Sequence, residues 1–353
     1  MDNKLPEQPR ICIVRLSAIG DVCMMVPTVK TIQKGLPNAQ ITWIISNPGY
    51  ELVKDLPGVE FLVINKPRSF KDYIKLYKQL GQYQFDIVLA TQANMRVNLL
   101  YPAIKSPRKI GFDKLRARDM QWLFTNEKIE FKDQHLVESF LEFAIKAGAS
   151  ACEINWNIPL SDDDNNKAKE IINSKKTKHS IAINPFTSKD ERNWDLQRYA
   201  QLIDQIYNKY GCHIILTGGA DPKEQAKIQK IIDLCQNREK ITNSSGTLSL
   251  KQLAALLSNV DCLISPDTAA VHIASAMKTA VIGLYAVAPS KLSGPYFSKQ
   301  LTLDKFGDAV AKILNKKLED IPWKTRVHDS RAMQLIQVED VMDKIATALN
   351  TGD

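Results

Sequence analysis

Twice along this chain, short unbroken apolar runs alternate with stretches of helical periodicity. That alternation calls for parallel strands joined by helical crossovers, and so for an open α/β sheet rather than a bundle or a sandwich. In the first half the runs at 11–14, 41–45, 61–64, 86–90 and 108–112 predict strands. Helices are expected near 22–36, 49–55, 69–82, 94–104 and 135–149. A polar stretch at 161–166 marks a break and caps a short helix over 168–173. The pattern then restarts, with strands at 181–184, 212–216, 261–264 and 280–284. Helices follow at 196–210, 223–237, 251–257, 269–277 and 338–349. The fold class expected is α/β: two Rossmann-like domains with parallel sheets facing across a cleft. Their bounds are set at 1–165 and 166–330, with 331–353 as a C-terminal helix packing back on the first domain.

With 44% apolar and 24% charged residues, the chain has the composition of a soluble globular protein. Its six cysteines (Cys12, Cys23, Cys152, Cys212, Cys235 and Cys262) show no CxxC pair or metal-ligand spacing, and several read as reduced core residues. No secretory leader and no membrane-spanning run is legible, which points to a cytoplasmic protein. The net charge of +8 is unevenly spread. Arg96, Lys105, Arg108, Lys109, Lys114, Arg116 and Arg118 face one acid, Asp113, and Lys66, Arg68, Lys71, Lys75 and Lys78 face only Asp72. Such patches suit phosphorylated substrates, anionic head groups or nucleic acid. A solvated face is the plainer reading, and the preferred one for the Lys71–Lys78 helix. Stacking aromatics are not interleaved with the basic cluster, which disfavours nucleic acid as a partner.

The turn after the first strand, Arg15-Leu16-Ser17-Ala18-Ile19-Gly20-Asp21-Val22, reads as strand, tight glycine turn and helix start, with Pro27 in the first helical turn. In an open α/β sheet this turn lies at the carboxyl end of the strand, where ligands bind. It places the carboxylate of Asp21 there, either as a helix cap or as a general base. Three polar loops of the second half fall at equivalent positions. Thr187, Ser188 and Arg192 offer hydroxyls and a fixed cation suited to a diphosphate. Gly218 and Gly219 allow close backbone approach before the helix that carries Glu224. Asp267, Thr268 and Ala269 open a helix whose N-terminal amides suit an anion. Each loop alone could merely cap a helix; together they favour a phosphate-bearing ligand. His272, one turn further on, reads as a satisfied core histidine or as a participant. No Walker A run, no GxGxxG after the first strand and no zinc-type cluster occurs, and Asp162-Asp163-Asp164 reads as solvated.

These residues carry a resemblance. The order Leu-Ser-Ala-Ile-Gly-Asp-Val, then Thr-Ser-x-x-x-Arg-x-Trp, then Asp-Thr-x-x-x-His followed by Gly294-Pro295-Tyr296 is similar to the ADP-heptose–lipopolysaccharide heptosyltransferases, glycosyltransferases of GT-B fold. The resemblance runs over nearly the whole chain. Gly111-Phe112-Asp113 with Arg116-Ala117-Arg118 is similar to the heptosyltransferase I branch, which acts on the first Kdo sugar of the inner core. It implies inverting, metal-independent transfer of heptose from ADP-L-glycero-D-manno-heptose, a nucleotide-sugar donor, to a Kdo residue of lipid A–core, phosphorylated or not. No cofactor is implied. Asp21 would be the general base. Thr187, Ser188, Arg192, Glu224, Asp267, Thr268, Ala269 and His272 would hold the donor. Ser17, Gly20, Arg96, Arg116 and Arg118 would hold the acceptor. The acceptor implies peripheral work at the cytoplasmic face of the inner membrane. The chain departs from the family in Arg192, where lysine is usual, and in Ala269, where glycine is usual. Arginine keeps the charge and can grip a diphosphate bidentately. Alanine adds a methyl at the sugar end. A related transferase with another nucleotide sugar or a later-core acceptor is one alternative, and a two-domain nucleotide-binding protein without catalysis is another.

Overall fold

The computed structural model describes residues 5–150 and 154–350, which leaves Cys152 outside the described residues. Contacts within the chain divide it into two compact units, Met1–Pro159 and Leu160–Asp353.

The first unit runs β1 (Arg10–Val14), α1 (Ile19–Gly35), β2 (Gln40–Ile45), α2 (Asn47–Val53), β3 (Val59–Val63), α3 (Phe70–Leu80), β4 (Ile87–Leu89), α4 (Met95–Asn98), β5 (Arg108–Gly111), β6 (Glu127–Lys128) and α5 (Leu136–Ala147). Its six strands lie in the order β3-β2-β1-β4-β5-β6, all parallel. The second unit comprises α6 (Asp162–Asn173), β7 (Ser180–Ile183), α7 (Leu196–Tyr210), β8 (His213–Leu216), α8 (Pro222–Leu234), β9 (Ile241–Asn243), α9 (Leu250–Leu257) and β10 (Cys262–Pro266). It continues through α10 (Ala269–Ala276), β11 (Ala280–Tyr285), α11 (Ser290–Ser293), β12 (Leu303–Asp304), α12 (Phe306–Ile313) and α13 (Val338–Asn350). Its parallel order, β12-β11-β10-β7-β8-β9, is the same topology read from the other edge. In each unit the strand order reverses beside the first strand, between β1 and β4 and between β7 and β10. Ligands of doubly wound sheets bind outside the carboxyl ends at such switch points.

The central strands are apolar on both faces, because helices cover both: Ile11, Cys12, Ile13 and Val14 of β1 are fully buried, as are Ile181, Ala182 and Ile183 of β7. The five described cysteines are buried and form no disulfide with one another, and burial pushes the thiols of Cys212 and Cys235 up to about 12. Among the described residues no helix is long and apolar enough to cross a membrane.

Several expectations are corrected. The first helix begins at Ile19, so Gly20 and Asp21 lie inside its first turn and Pro27 lies in its interior. A proline there removes the donor that would bond the carbonyl four residues back, that of Cys23. The Trp156 indole supplies the missing donor, with Nε1 to the Cys23 oxygen at 2.9 Å. The helix expected over 94–104 stops at Asn98 and is followed by a separate 3-10 turn, Tyr101–Ala103, with Pro102 at its start. Strands β6, β9 and β12 were not foreseen; at two or three residues each they are too short for a pattern. The boundary expected at 165/166 falls inside α6. Ser161 and Asp164 form a capping box that starts this helix at Asp162, so the acidic run is its first turn. The C-terminal stretch is a 3-10 turn, Ser330–Leu335, followed by α13. α13 packs on α7, and its Val341, Met342 and Ile345 lie in the core of the second unit.

Candidate active site

In the first unit the two segments leaving the switch point are knitted together. The Thr91 hydroxyl donates to the Val14 carbonyl at 3.0 Å. Gln92 Oε1 accepts the Leu16 amide at 2.7 Å and the Ser17 amide at 3.3 Å. Tyr101 OH in turn donates to the Gln92 carbonyl at 2.6 Å. Arg15 is buried, lies over the Phe140 ring at 5.1 Å, and donates to the Thr91 carbonyl and to Asp21 Oδ2. Asp21 stands at the third helical position and accepts the Ala18 amide at 3.2 Å, the backward half of a capping box. It therefore has a capping contact, yet its side chain keeps 25% exposure.

Beside this turn lies a cavity of about 600 Å³ lined by Ser17, Gln92, Arg96, Arg68 and Lys66, among others. Burial, and then the positive charges of Arg96 and Arg15, push the Lys66 ammonium below its usual range. A cavity whose neighbouring cations depress a lysine is suited to an anion. Of the residues expected at the acceptor, Ser17 and Arg96 line it, and Gly20 lies buried in the adjoining helix turn. Arg118 is exposed and lies outside the lining; its carbonyl accepts from Asn98 Nδ2 at 3.0 Å. Arg116 serves the local structure. Its guanidinium pairs with Asp113, donates to the Glu130 carbonyl at 2.6 Å, and sits between the Phe112 and Phe131 rings at 5.7 and 5.5 Å.

In the second unit the loop after β7 is rigidly anchored. Thr217 Oγ1 donates to Asn184 Oδ1 at 3.2 Å, the Thr187 amide to Asn193 Oδ1 at 2.7 Å, and Trp194 Nε1 to the Ile336 carbonyl at 3.1 Å. Thr187 directs its hydroxyl to the Lys189 carbonyl at 2.7 Å, and Ser188 is exposed. Arg192 reaches across the switch point to Asp267 at 2.7 Å, which joins the first loop to the third. Its Nε is buried and has no hydrogen-bond partner among the described residues. Thr268 caps α10 by position, with its hydroxyl 2.8 Å from that of Ser265; Ala269 follows as the first helical residue, and His272 is buried. The glycine loop closes on its own helix: Glu224 Oε1 accepts the Gly219 amide at 2.9 Å. A Cβ on Gly218 would stand 2.6 Å from that carboxylate oxygen and 2.8 Å from Ile228 Cδ1.

Sequence reasoning brought Asp21, Arg192 and Asp267 to the correct strand ends but missed Arg15 as the partner of Asp21, and missed Gln92 and Thr91 altogether. The signal was available, since the residues after β4 must flank those after β1 once the strand order is known.

Comparison with known proteins agrees with this architecture. Residues 73–310 match the model of glycosyltransferase family 9 (heptosyltransferase). The lipopolysaccharide core heptosyltransferase OpsX of Haemophilus influenzae is 33% identical over 341 residues, 96% of this chain and 97% of its own length. Among solved structures, E. coli ADP-heptose LPS heptosyltransferase II aligns with a TM-score of 0.74 at 17% identity, over 97% of this chain and 99% of that one. E. coli heptosyltransferase WaaC with ADP gives 0.70 at 18% identity, over 97% and 98%. The two parallel six-stranded sheets are those of these GT-B structures. The chain belongs to glycosyltransferase family 9 and is a heptosyltransferase.

Proposed function

We propose that the enzyme moves heptose from ADP-L-glycero-D-manno-heptose to a Kdo residue of the lipopolysaccharide inner core, with inversion and without a metal. The observation that carries this reading is the Asp21 carboxylate, held by Arg15 at the carboxyl end of β1 beside a cation-lined cavity. Kdo is a sugar acid, and Lys66, Arg68 and Arg96 are the complementary charges. OpsX is named as a lipopolysaccharide core heptosyltransferase, which supports the acceptor class.

In this mechanism Asp21 takes the proton of the acceptor hydroxyl as its oxygen attacks the anomeric carbon. The new carbon–oxygen bond forms as the bond from that carbon to the β-phosphate oxygen breaks. ADP leaves with the electron pair, and a single displacement inverts the centre. Arg192 is the cation for the leaving diphosphate, joined by the amides at the start of α10. Glu224 is assigned to the ribose. The Thr187, Ser188, Asp267, Thr268 and Ala269 positions surround the diphosphate and the sugar, and His272 supports α10 from within. The glycolipid acceptor places the enzyme at the cytoplasmic face of the inner membrane, in peripheral attachment.

The test is transfer from ADP-heptose to Kdo–lipid A, with and without Kdo phosphate, by wild type and Asp21→Ala, in the presence and absence of EDTA. Transfer unaffected by EDTA, cut by about 100-fold or more in the variant with ADP binding intact, is the expected result. ADP binding without transfer to either acceptor would discard the Kdo assignment. Full activity in Asp21→Ala would discard the base, and loss with EDTA the metal-independent chemistry.

A further inference from the structure

Helix α3 carries three side-chain stripes. Tyr73, Leu76 and Leu80 face inward, and Leu76 and Leu80 are buried in the core of the first unit. Lys71, Lys75 and Lys78 are exposed. Between these two stripes, at spacings of four and three residues, lie Phe70, Ile74 and Tyr77, exposed by 79%, 44% and 41%. Single exposed apolar residues are ordinary, but three aligned on one helix beside an unbroken lysine row are not. The patch continues to Leu99, just past α4, which is exposed and whose carbonyl accepts from Tyr77 OH at 2.7 Å. The one acid of the helix, Asp72, is occupied with its start, where it accepts the Arg68 and Ser69 amides at 2.8 and 2.9 Å.

We propose that this face of α3 docks on an anionic lipid bilayer, with Phe70 and Ile74 entering the boundary between head groups and acyl chains. The lysine row would lie against the lipid phosphates. An interfacial helix has this composition, an apolar stripe flanked by cations. Charge complementarity selects the bilayer over an uncharged protein surface. Continuity with the proposed acceptor site selects it again, since Tyr73 of the same helix and Arg68 just before it line the cation-rich cavity. Docking would therefore present that cavity to a head group that remains in its membrane. The choice of a bilayer as occupant rests on the glycolipid-acceptor reading above.

The experiment is co-sedimentation of the full chain with vesicles of phosphatidylcholine alone, or of phosphatidylcholine mixed with phosphatidylglycerol. It compares wild type, Phe70→Ser/Ile74→Ser and Lys71→Gln/Lys75→Gln. Wild type should bind the mixed vesicles and release with salt, and each double variant should partition about 10-fold more weakly. Both variants should retain wild-type thermal unfolding and wild-type transfer to a deacylated, water-soluble acceptor. Variants that bind vesicles like wild type would overturn the proposal, as would wild-type binding indifferent to phosphatidylglycerol. Dimerisation through the stripe without vesicle binding would assign it to a second copy and overturn the proposal too. Failure of transfer to the soluble acceptor, by contrast, would strike the acceptor reading and leave the vesicle result to stand or fall alone.

Discussion

Arg15 Nη2 donates to Asp21 Oδ2, and that same oxygen accepts the Ala18 amide. Neither contact uses Oδ1, so the pair fixes the carboxylate through one oxygen and leaves the other for the proton of the proposed mechanism. Arg15 is itself fixed, by the Thr91 carbonyl and the face of Phe140. In the proposed mechanism it acts on the reaction through the position of Asp21. Arg15→Met should lower kcat by about 100-fold, the scale of a misplaced reacting group, with ADP affinity by calorimetry unchanged. Equal kcat in the variant would remove Arg15 from this role.

The lysine in the cavity gives a pH dependence. Because burial and two neighbouring cations lower its pKa, Lys66 sheds its proton at lower pH than an ordinary lysine. An anionic acceptor binds the charged form. Affinity is therefore full below the lowered pKa and falls as pH rises through it. KM for the acceptor should climb on the alkaline side in wild type and start high, with a flatter profile, in Lys66→Gln. Parallel profiles for the two proteins would show that another group titrates.

Arg192 and Asp267 bind each other at 2.7 Å. A diphosphate would compete for the same guanidinium, whose buried Nε has no hydrogen-bond partner among the described residues. Removing a charge-assisted contact costs about 1.5–3 kcal/mol, so Arg192→Ala should weaken ADP binding by roughly 10–100-fold in calorimetry. Arg192→Lys should recover part of that loss, since it restores charge without the fork. Unchanged ADP affinity in the alanine variant would place the diphosphate elsewhere.

Arg116 should fail differently from the other basic residues. Its side chain and that of Asp113 are each only 8% exposed. Arg116→Ala leaves a buried carboxylate unpaired and should cost about 3 kcal/mol in chemical denaturation. In the folded fraction, KM for the acceptor should stay near wild type. A variant that is stable but weak for acceptor would return Arg116 to the binding set.

How far the sequence speaks for itself differs along the chain. The central strands were legible because burial on both faces leaves unbroken apolar runs, as in β1 and β7. The edges were not, since β6 is Glu127 and Lys128, whose pairing with β5 is a backbone matter with no side-chain signature. Asp21, Arg192 and Asp267 were legible because they follow strong strands at short distance. Arg116 was read from its charge alone, because the sequence does not reveal that Asp113, Phe112, Phe131 and the Glu130 carbonyl surround it. The lysines of α3 read as a solvated face, and only their exposure beside Phe70 and Ile74 gives them company.

The indole of Trp156 against the Cys23 carbonyl joins residues 133 positions apart, near the two ends of the first unit. During synthesis from the N-terminus, α1 leaves the ribosome long before its partner does. Until Trp156 emerges, the helix that carries Asp21 holds a carbonyl that Pro27 cannot serve and that lacks the indole. The last strap of the first unit is thus also its closing stitch, and the turn that carries Asp21 is completed late, when half of the protein has yet to be made.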